Sequence, residues 1–363
     1  MEEVFTCCVG LDVHKESIEA CVRRIGLNGR LHQETRHWGS MTEDLLAMAD
    51  WMTAQGVTHV AMESTGVFWK PIFNILEDRF TVLLVNAHHI KQVPGRKSDV
   101  RDCQWIAQLL QHGLLKGSFI PPRFQRDLRD LTRYRTQLAN ERVRTVNRIH
   151  KVLEDGNIKL SSVATDLRFM LKLLSKQLAE QEALIDELDR KIEEQTRPLS
   201  AEIDRLDSIP GIDRRVAEVV LAEVGANMEP FPSHKNLASW AGMCPGNEES
   251  AGKRQRRRIT PGNRWLKRTL AQACWAASHV KNTYLASQYR RLASRRGRKR
   301  ALIAVGHSML VIIYHMLKTG TEYADLRADF FDHLEPKRLT RYYMARLEHL
   351  GYRVTLQACS ATA

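Results

Sequence analysis

Four acidic residues in the first third of the chain have types and spacings that suit metal binding. Asp99 and Asp102 stand three residues apart in GRKSDVRDCQWIAQLL (95–110), at the start of an apolar-periodic segment. On a helix both carboxylates lie on one face, where like charges repel by about a few tenths of a kcal/mol. A hard divalent cation such as Mg²⁺ removes that repulsion and prefers oxygen ligands. An isolated pair with this spacing is more often a solvated acidic first turn, which the helix dipole favours.

Two further acids strengthen the metal-binding interpretation. Asp12 ends an apolar run in VGLDVHK, and Glu63 ends another in VAMESTG, where Gly66 allows the chain to turn away. A carboxylate at the end of a buried strand is costly unless it is solvated or paired. The first strand of a sheet, a strand after its first helix and a later helix can converge on one edge. We therefore predict that Asp12, Glu63, Asp99 and Asp102 bind two Mg²⁺ ions, with Mn²⁺ as the alternative, as in ribonuclease H-like nucleases.

The elements expected to position these acids alternate between strands and helices. Strands are predicted at 4–13, 17–24, 30–38, 58–65 and 80–86, and helices at 41–56, 68–78 and from Asp99 onward. Three leading strands followed by alternating elements indicate an α/β domain with a mixed sheet covered by helices. GSFIPPRF (117–124), which contains a Pro pair, is the expected linker at its end.

Two long helical patterns follow the linker. The first, about 124–153, is rich in arginine. The second has a heptad seam with one polar position, formed by Leu167, Leu171, Leu174, Leu178, Gln181, Ile185, Leu188 and Ile192. Such a seam favours self-association as a coiled coil. The alternative is that the two helices pack on each other as a hairpin.

Charge is distributed unevenly along the chain. The formal net charge is +13, and residues 253–300 contain 16 Lys and Arg but no acidic residue. A solvated helix face normally interleaves both signs, so this stretch indicates binding to the phosphates of a nucleic acid. The seven scattered cysteines fit a reduced cytosolic compartment. The apolar run 301–317 is a little short for a membrane span and is interpreted as a core helix.

The turn SIPGID (208–213) has two interpretations. It looks like half of a helix-hairpin-helix, whose turn amides can contact a phosphate. Asp213 would repel a phosphate, however, so this residue is expected to cap the following helix instead. Trp240, Trp265 and Trp275 are expected in the core, with Trp265 as the one to test for stacking on a base.

The motifs GLDVHK, MESTG and KSDVRD resemble, in this order, the Asp–Glu–Asp–Asp (DEDD) transposases of bacterial insertion sequences, the Piv/MooV-like "insertion-sequence one-ten" family. The catalytic domain of that family is similar to the Holliday-junction resolvase RuvC. LDSIPGI and the segment LASWAGMCPGNEESAGKRQRRRITPGNRWLKRTL are similar to its C-terminal transposase domain. The resemblance implies a ribonuclease H/RuvC-like α/β domain at 1–120, a helical coiled-coil or hairpin segment at 121–200, and a mainly α C-terminal transposase domain at 201–363.

The resemblance also implies a second catalytic element, Ser250 in EESAGKRQ. A serine hydroxyl needs a base, a metal or a cationic surrounding to act as a nucleophile. Ser250 would attack the scissile phosphate and form a phosphoserine link to one DNA end, with the metal-bound acids activating the attack. Eight basic residues are expected to bind nucleic acid: Lys253, Arg254, Arg256, Arg257, Arg258, Arg264, Lys267 and Arg268.

The partners implied by the resemblance are DNA, as donor and target ends, and a non-coding bridge RNA. Base pairing with that RNA would select the sequence, while the protein reads backbone and shape. The serine lies on a different domain from the acids, so the site is expected to be assembled between domains, either of one protomer or of different protomers. A homo-oligomer (a dimer or a tetramer) is expected because recombination breaks several strands in one assembly. The expected location is the bacterial cytoplasm, with no membrane partner.

We therefore expect a DNA transposase or recombinase of an insertion sequence. One rival is a metal-dependent junction nuclease that uses water and needs no serine. The other is a non-catalytic RNA- or DNA-binding protein, which conflicts with the presence of all four acids.

Overall fold

The chain folds into two compact units, residues 1–120 and 121–363. The computed structural model describes residues 4–26, 29–63, 66–86, 90, 102–155, 165–244, 249–250, 253–254, 262–334 and 336–356.

The first unit contains a mixed five-stranded sheet with helices. Its elements are β1 (Cys7–Val13), β2 (Ser17–Ile25), β3 (Leu31–Gly39), α1 (Thr42–Ala54), β4 (His59–Glu63), α2 (Trp69–Leu76), β5 (Thr81–Val85) and α3 (Asp102–Gln111). The strand order is β3-β2-β1-β4-β5. β1, β2 and β3 pair antiparallel, whereas β4 and β5 run parallel to β1. The predicted mixed sheet with covering helices is confirmed.

Burial explains why β1 is central and β3 lies at the edge. β1 (CCVGLDV) is a nearly continuous apolar run with helices over both faces, as expected for a strand with parallel neighbours. β3 (LHQETRHWG) is polar and mostly exposed, which suits an edge strand. Val9 and Leu11 of β1 pack with α1 and α2 on one face of the sheet. Cys8 packs with α3 on the other face, in a cluster with Ile106 and Leu110.

The second unit is mostly helical. Its elements are α4 (Arg123–Asp155), α5 (Thr165–Thr196), a 3₁₀ turn (Arg197–Leu199), α6 (Ser200–Asp207), α7 (Arg214–Val224), α8 (His234–Ala241), β6 (Glu249–Ser250), β7 (Lys253–Arg254), α9 (Arg264–Ala277), α10 (Tyr284–Arg296), α11 (Arg298–Thr319), α12 (Phe330–Leu334) and α13 (Pro336–His349).

α4 and α5 form an antiparallel hairpin within one chain. Arg135 of α4 pairs with Asp189 of α5, and Arg142 pairs with Glu182 at 2.7 Å. Moving seven residues forward on α4 therefore means moving seven residues back on α5, so the two helices run in opposite directions.

The heptad seam of α5 is used inside this hairpin. Its described positions are buried or half-buried, while most other residues of α5 are exposed. Ile192 packs with Leu128 of α4, and Gln181, the polar seam residue, is buried. The hairpin alternative is thus the arrangement found in the single chain, and self-association through α5 stays a prediction.

α11 is the central helix of the second unit. Within the described ranges it alone is long and apolar enough to cross a membrane, and 44% of its most apolar window is buried inside the protein. Met309, Leu310 and Ile313 are fully buried, and the helix packs against α8, α9 and α10. The apolar run is therefore a core helix of this unit.

The turn before α7 has a structural explanation. The Asp213 carboxylate accepts a hydrogen bond from the backbone amide of Val216 at 2.8 Å, so this residue caps α7, as predicted. Gly211 has φ +87°, and a Cβ there would lie 2.3 Å from the carbonyl oxygen of Ala273 in α9. Close packing on α9 and the positive φ both require glycine, and neither involves a phosphate.

Candidate active site

Asp12 and Glu63 lie side by side at one edge of the sheet. β1 and β4 are parallel neighbours with Leu11 opposite Met62, so the next residue on each strand is an acid. The carboxyl ends of parallel strands meet at the same edge, where α/β proteins commonly bind ligands. Both acids are half-buried. Sequence reasoning placed these two side chains together, and the strand register does so.

The start of α3 lies over the same face of the sheet. Alternate residues of a strand point to one face, so Asp12 shares its face with Cys8 and Gly10. The Cys8 thiol donates to the carbonyl oxygen of Ala107 at 3.6 Å. A Cβ on Gly10 would lie 2.3 Å from backbone atoms of Ala107 and Cys103. α3 therefore packs directly on the backbone of β1, and this contact brings its first residue, Asp102, toward the end of β1.

The carboxyl group of Asp12 is affected by its burial and by the charges of two neighbouring acids, Asp102 and Glu19. The pKa of the Asp12 carboxyl is raised, first by burial and then by the charges of Asp102 and Glu19. His14 opposes these effects, with its Nε2 at 3.4 Å from an Asp12 oxygen. Because Asp12 is 17% exposed, water screens this repulsion only in part. A bound cation would offset the repulsion.

Asp12, Glu63 and Asp102 are of the ligand type that a hard cation prefers, since each offers carboxylate oxygens. Asp99, the fourth predicted ligand, lies outside the described residues. Among the residues that are described, no three His, Cys, Asp or Glu side chains lie close enough to form a metal-binding group.

Glu19 is an acid near this site that sequence reasoning missed. It stands directly opposite Asp12 in the antiparallel β1–β2 pair, so both side chains are on the same face. Its carboxylate contacts Nδ1 of His37 on β3 at 3.0 Å. Counting residues back from the tight β1–β2 turn would have placed Glu19 opposite Asp12.

Ser250 lies in a short hairpin. β6 pairs antiparallel with β7, with Glu249 opposite Arg254 and Ser250 opposite Lys253. The backbone register thus places a basic residue across from the serine. Three of the predicted nucleic-acid-binding residues, Arg256, Arg257 and Arg258, lie outside the described residues.

The remaining three predicted basic residues are in the first turns of α9. Arg264 and Arg268 are exposed and Lys267 is half-buried. The Arg264 guanidinium lies 5.0 Å from the ring centre of Trp265. Arg268 donates to the Asn140 side chain of α4 at 2.8 Å. Arg264 and Arg268 are therefore both partly engaged within the protein.

A buried acid that sequence reasoning missed fixes the start of α9. Glu223 of α7 has a fully buried side chain and accepts two hydrogen bonds from Arg133, from Nε at 2.7 Å and from Nη2 at 2.8 Å. It also accepts from the side-chain amide of Asn263 at 2.7 Å. The Asn263 carbonyl caps α9 by accepting from the amides of Trp265 and Leu266. Glu223 thereby ties α4, α7 and the beginning of α9 into one network.

The tryptophans differ in their surroundings. Trp265 is half-buried, with the guanidinium groups of Arg133 and Arg264 at 5.8 and 5.0 Å from its ring centre. Trp240 is also half-buried, whereas Trp275 is 48% exposed. The prediction that Trp275 is a core residue is wrong, because position 275 falls on the outward face of α9.

Comparison with known proteins identifies the class of this chain. A family model for DEDD transposases, described as "Transposase", matches residues 9–158. A second model, described as "Transposase IS116/IS110/IS902 family", matches residues 203–290. "Putative transposase y4qE" of Sinorhizobium fredii is 26% identical over 283 residues, covering 74% of this chain and 70% of that protein. The chain is a transposase, of the class of enzymes that cut and rejoin DNA.

The two matches agree on the particular family. The first includes three of the acids at the sheet edge, and the second includes the Ser250 hairpin and α9. The chain belongs to the IS110 family of transposases of insertion sequences.

Proposed function

We propose that this transposase breaks and rejoins DNA strands with a magnesium-binding carboxylate tetrad and a serine nucleophile. The tetrad comprises Asp12, Glu63, Asp99 and Asp102, and the nucleophile is Ser250. The single observation that carries the proposal is the convergence at the sheet edge: Asp12 and Glu63 occupy matching positions on parallel strands, and the charge of Asp102 raises the pKa of Asp12.

The domain assignment belongs to the same proposal. Residues 1–120 would be a ribonuclease H/RuvC-like catalytic domain, 121–200 a coiled-coil or hairpin segment, and 201–363 the C-terminal transposase domain. The sheet supports the first assignment, because three antiparallel strands are followed by two strands parallel to the first.

The carboxylates and Ser250 have different roles in the proposed reaction. The carboxylates would hold one or two divalent cations, Mg²⁺ or Mn²⁺, which supply Lewis acidity at phosphate oxygens when bound. The Ser250 hydroxyl loses its proton as its oxygen bonds to phosphorus. The bond between phosphorus and the leaving strand oxygen breaks, and that oxygen takes up a proton. The phosphoserine link conserves the bond energy, so the reverse attack by a strand end can rejoin DNA.

Basic residues near the serine would bind the charged backbone. Lys253 lies opposite Ser250 in the hairpin, and Arg254 follows it in the sequence. Both would therefore lie near a phosphate that is bound at the serine. Arg256, Arg257 and Arg258 follow in the sequence, and Arg264, Lys267 and Arg268 begin α9. Such charges stabilise the extra negative charge of a phosphoryl-transfer transition state.

The proposed partners follow from the family resemblance. DNA donor and target ends are the substrates, and a non-coding bridge RNA selects them by base pairing. The enzyme would act as a homo-oligomer in the bacterial cytoplasm, because recombination requires several strand breaks in one assembly.

A covalent adduct tests the serine. The full chain is incubated with Mg²⁺, a labelled DNA that carries an element end and the RNA encoded beside it, then denatured and separated by gel electrophoresis. The labelled protein–DNA adduct should form with wild type and with the control Ser294→Ala, an exposed serine on α10. It should be lost in Ser250→Ala and in Asp102→Asn.

Other outcomes would change the assignment. Free cleaved strands from Ser250→Ala would indicate the water-using nuclease instead. Cleavage that persists in Asp102→Asn and after chelation of the cation would contradict the carboxylate mechanism.

A further inference from the structure

A basic cavity of about 680 Å³ lies in the C-terminal part of the second unit. It is bounded by α10, by the segment that follows α11, and by α12 and α13. Four arginines and two aromatic rings contribute to its walls: Arg290, Arg291, Arg295, Arg338, Phe331 and Tyr342. Most of these residues follow position 290, where the second family match ends. The cavity is therefore not accounted for by the family matches.

The cavity has a fixed floor. The Asp325 carboxylate accepts from the backbone amide of Tyr284, the first residue of α10, at 3.0 Å. The Ser287 hydroxyl donates to the carbonyl oxygen of Ala328 at 2.8 Å. The Tyr323 hydroxyl donates to the other Asp325 oxygen at 2.9 Å. These bonds attach the segment after α11 to α10, so this side of the cavity is held in place before any ligand arrives.

The positive charges around the cavity favour the binding of an anion. Arg291 and Arg295 are one helical turn apart on α10, a spacing at which like charges repel. Arg290 of α10 and Arg338 of α13 bring the number of cations to four, and Asp332 is the one acidic residue among the described lining residues. Arginine binds phosphate through paired, parallel hydrogen bonds, which makes phosphate the matching ligand.

Aromatic contacts position one of these arginines. The Arg291 guanidinium lies 5.2 Å from the ring centre of Phe331. Phe331 in turn stacks on Tyr284, with ring centres 5.2 Å apart and an interplanar angle of 17°. Stacking of this kind restricts the guanidinium to few orientations, so less entropy is lost when it binds a phosphate.

Tyr342 offers a different kind of contact. Its side chain is 55% exposed at the cavity. Exposed aromatic rings beside cationic grooves are the usual platforms on which unpaired bases stack. In a duplex the base faces are already stacked, so this ring favours a single strand.

We propose that this cavity binds a single-stranded segment of nucleic acid, with phosphates on its arginines and an unpaired base against Tyr342. The segment belongs to the DNA or to the RNA of the reaction, which present the same phosphates and base faces. The inference goes beyond the proposed chemistry, because binding here requires neither Ser250 nor the four acids.

Binding measured by fluorescence anisotropy on the full chain tests the arginines. The probes are a labelled single-stranded DNA of about 20 nucleotides, the RNA of the same sequence and the DNA duplex. The double variant Arg291→Ala/Arg295→Ala should weaken the binding of at least one single strand about tenfold. It should also reduce the slope of log affinity against log salt concentration by about 1.4, since each lost phosphate contact reduces that slope by about 0.7. The affinity for the duplex should fall by less. The single strand, DNA or RNA, whose affinity falls more identifies the source of the ligand.

A control of equal charge separates the cavity from general electrostatic attraction. Arg341→Ala/Arg353→Ala removes two exposed arginines that do not line the cavity. It should weaken binding by less than about threefold and keep most of the salt slope. Equal weakening by both double variants, no weakening by the cavity variant, or a loss confined to the duplex would overturn the proposal.

Tyr342 supplies an independent test. Tyr342→Ala should weaken single-strand binding by about tenfold, whereas Tyr342→Phe, which keeps the ring, should bind as wild type. Thermal unfolding of each variant confirms that the fold is intact. Ser250→Ala should bind like wild type while losing the covalent adduct, so a failure of the catalytic proposal is distinguished from a failure at this cavity. Wild-type binding by Tyr342→Ala would refute the stacking contact.

Discussion

Replacing Gly10 by alanine should disrupt the candidate site by pushing α3 away from β1. The added Cβ would lie 2.3 Å from the backbone nitrogen of Ala107 and 2.3 Å from the carbonyl oxygen of Cys103. Non-bonded heavy atoms settle near 3.5 Å, so β1 and α3 must separate by about 1 Å. The opposing atoms belong to the backbone, so no side-chain rotation can relieve the contact.

The expected magnitude follows from that displacement. Overpacking of a well-packed core costs about 1–3 kcal/mol of unfolding free energy. The shift also moves Asp102, the first residue of α3, relative to Asp12. A misplacement of about 1 Å in a reacting group can lower the rate about 100-fold. The variant should therefore remain folded at moderate temperature but cleave DNA about 100-fold more slowly.

Two measurements with one control check this prediction. Urea denaturation gives the change in unfolding free energy, and the initial rate of strand cleavage gives the change in activity. Gly117→Ala is the matched control, because its Cβ would meet Leu83 side-chain atoms at 3.7 Å, an ordinary contact distance. It should change stability by less than about 0.5 kcal/mol. Wild-type stability and cleavage in Gly10→Ala would refute the packing of α3 on β1 and the convergence of Asp102 on Asp12.

Two further substitutions, the second with a control variant, test the electrostatics. Burial and neighbouring acids raise the pKa of Asp12 in the folded protein above its value in the unfolded chain. Ionisation of Asp12 therefore lowers the free energy of unfolding as the pH rises through the folded-state pKa. Below the unfolded-state pKa the carboxyl is protonated in both states, so this destabilisation is absent. Metal-free Asp12→Asn should accordingly be more stable than wild type at pH 7 and equal to it near pH ~3.5 in urea denaturation with chelator; lower stability at pH 7 would contradict the pKa direction. Glu223→Gln should cost about 3 kcal/mol because it leaves Arg133 without its buried counter-charge. Glu182→Gln, which breaks an ion pair of about half-exposed side chains with Arg142, should cost less than about 1 kcal/mol, and equal costs would show that the Glu223 network is not buried as described.

Local pattern was sufficient where one strand or helix determined the outcome. Apolar runs predicted β1 and β4 because both strands are largely buried. The acids Asp12 and Glu63 could be placed together because both end parallel strands of one sheet. Asp213 could be predicted as a cap because its position relative to the next helix is a local property.

Features that depend on partners distant in the sequence could not be predicted. Glu223 lies within an ordinary amphipathic helix pattern, and its burial depends on Arg133, 90 residues earlier in the chain. The α5 seam showed that a partner helix exists but not which helix it is, since a second copy and α4 bury the same leucines. The exposure of Trp275 depends on which face of α9 meets α11.

The arginine content of α4 is also poorly interpreted from sequence alone. Arg129 donates to the backbone oxygen of Ala222, and burial lowers its pKa to about 10. Arg133 and Arg142 are paired with acids of α7 and α5. These cations stabilise the fold, so the number of arginines in α4 overstates how many of them are available to a nucleic acid.

The length of the α4–α5 hairpin fixes a distance. α4 has 33 residues and α5 has 32, and a straight helix of that size is about 50 Å long. Two such rods clamped by paired side chains resist bending far better than one. A molecule held at the distal end would sit about 15 base-pair rises of DNA from the point where α4 begins, given about 3.4 Å per rise. The hairpin thus sets a fixed spacing between its two ends, and deleting two matched turns from each helix would shorten that spacing by about 11 Å.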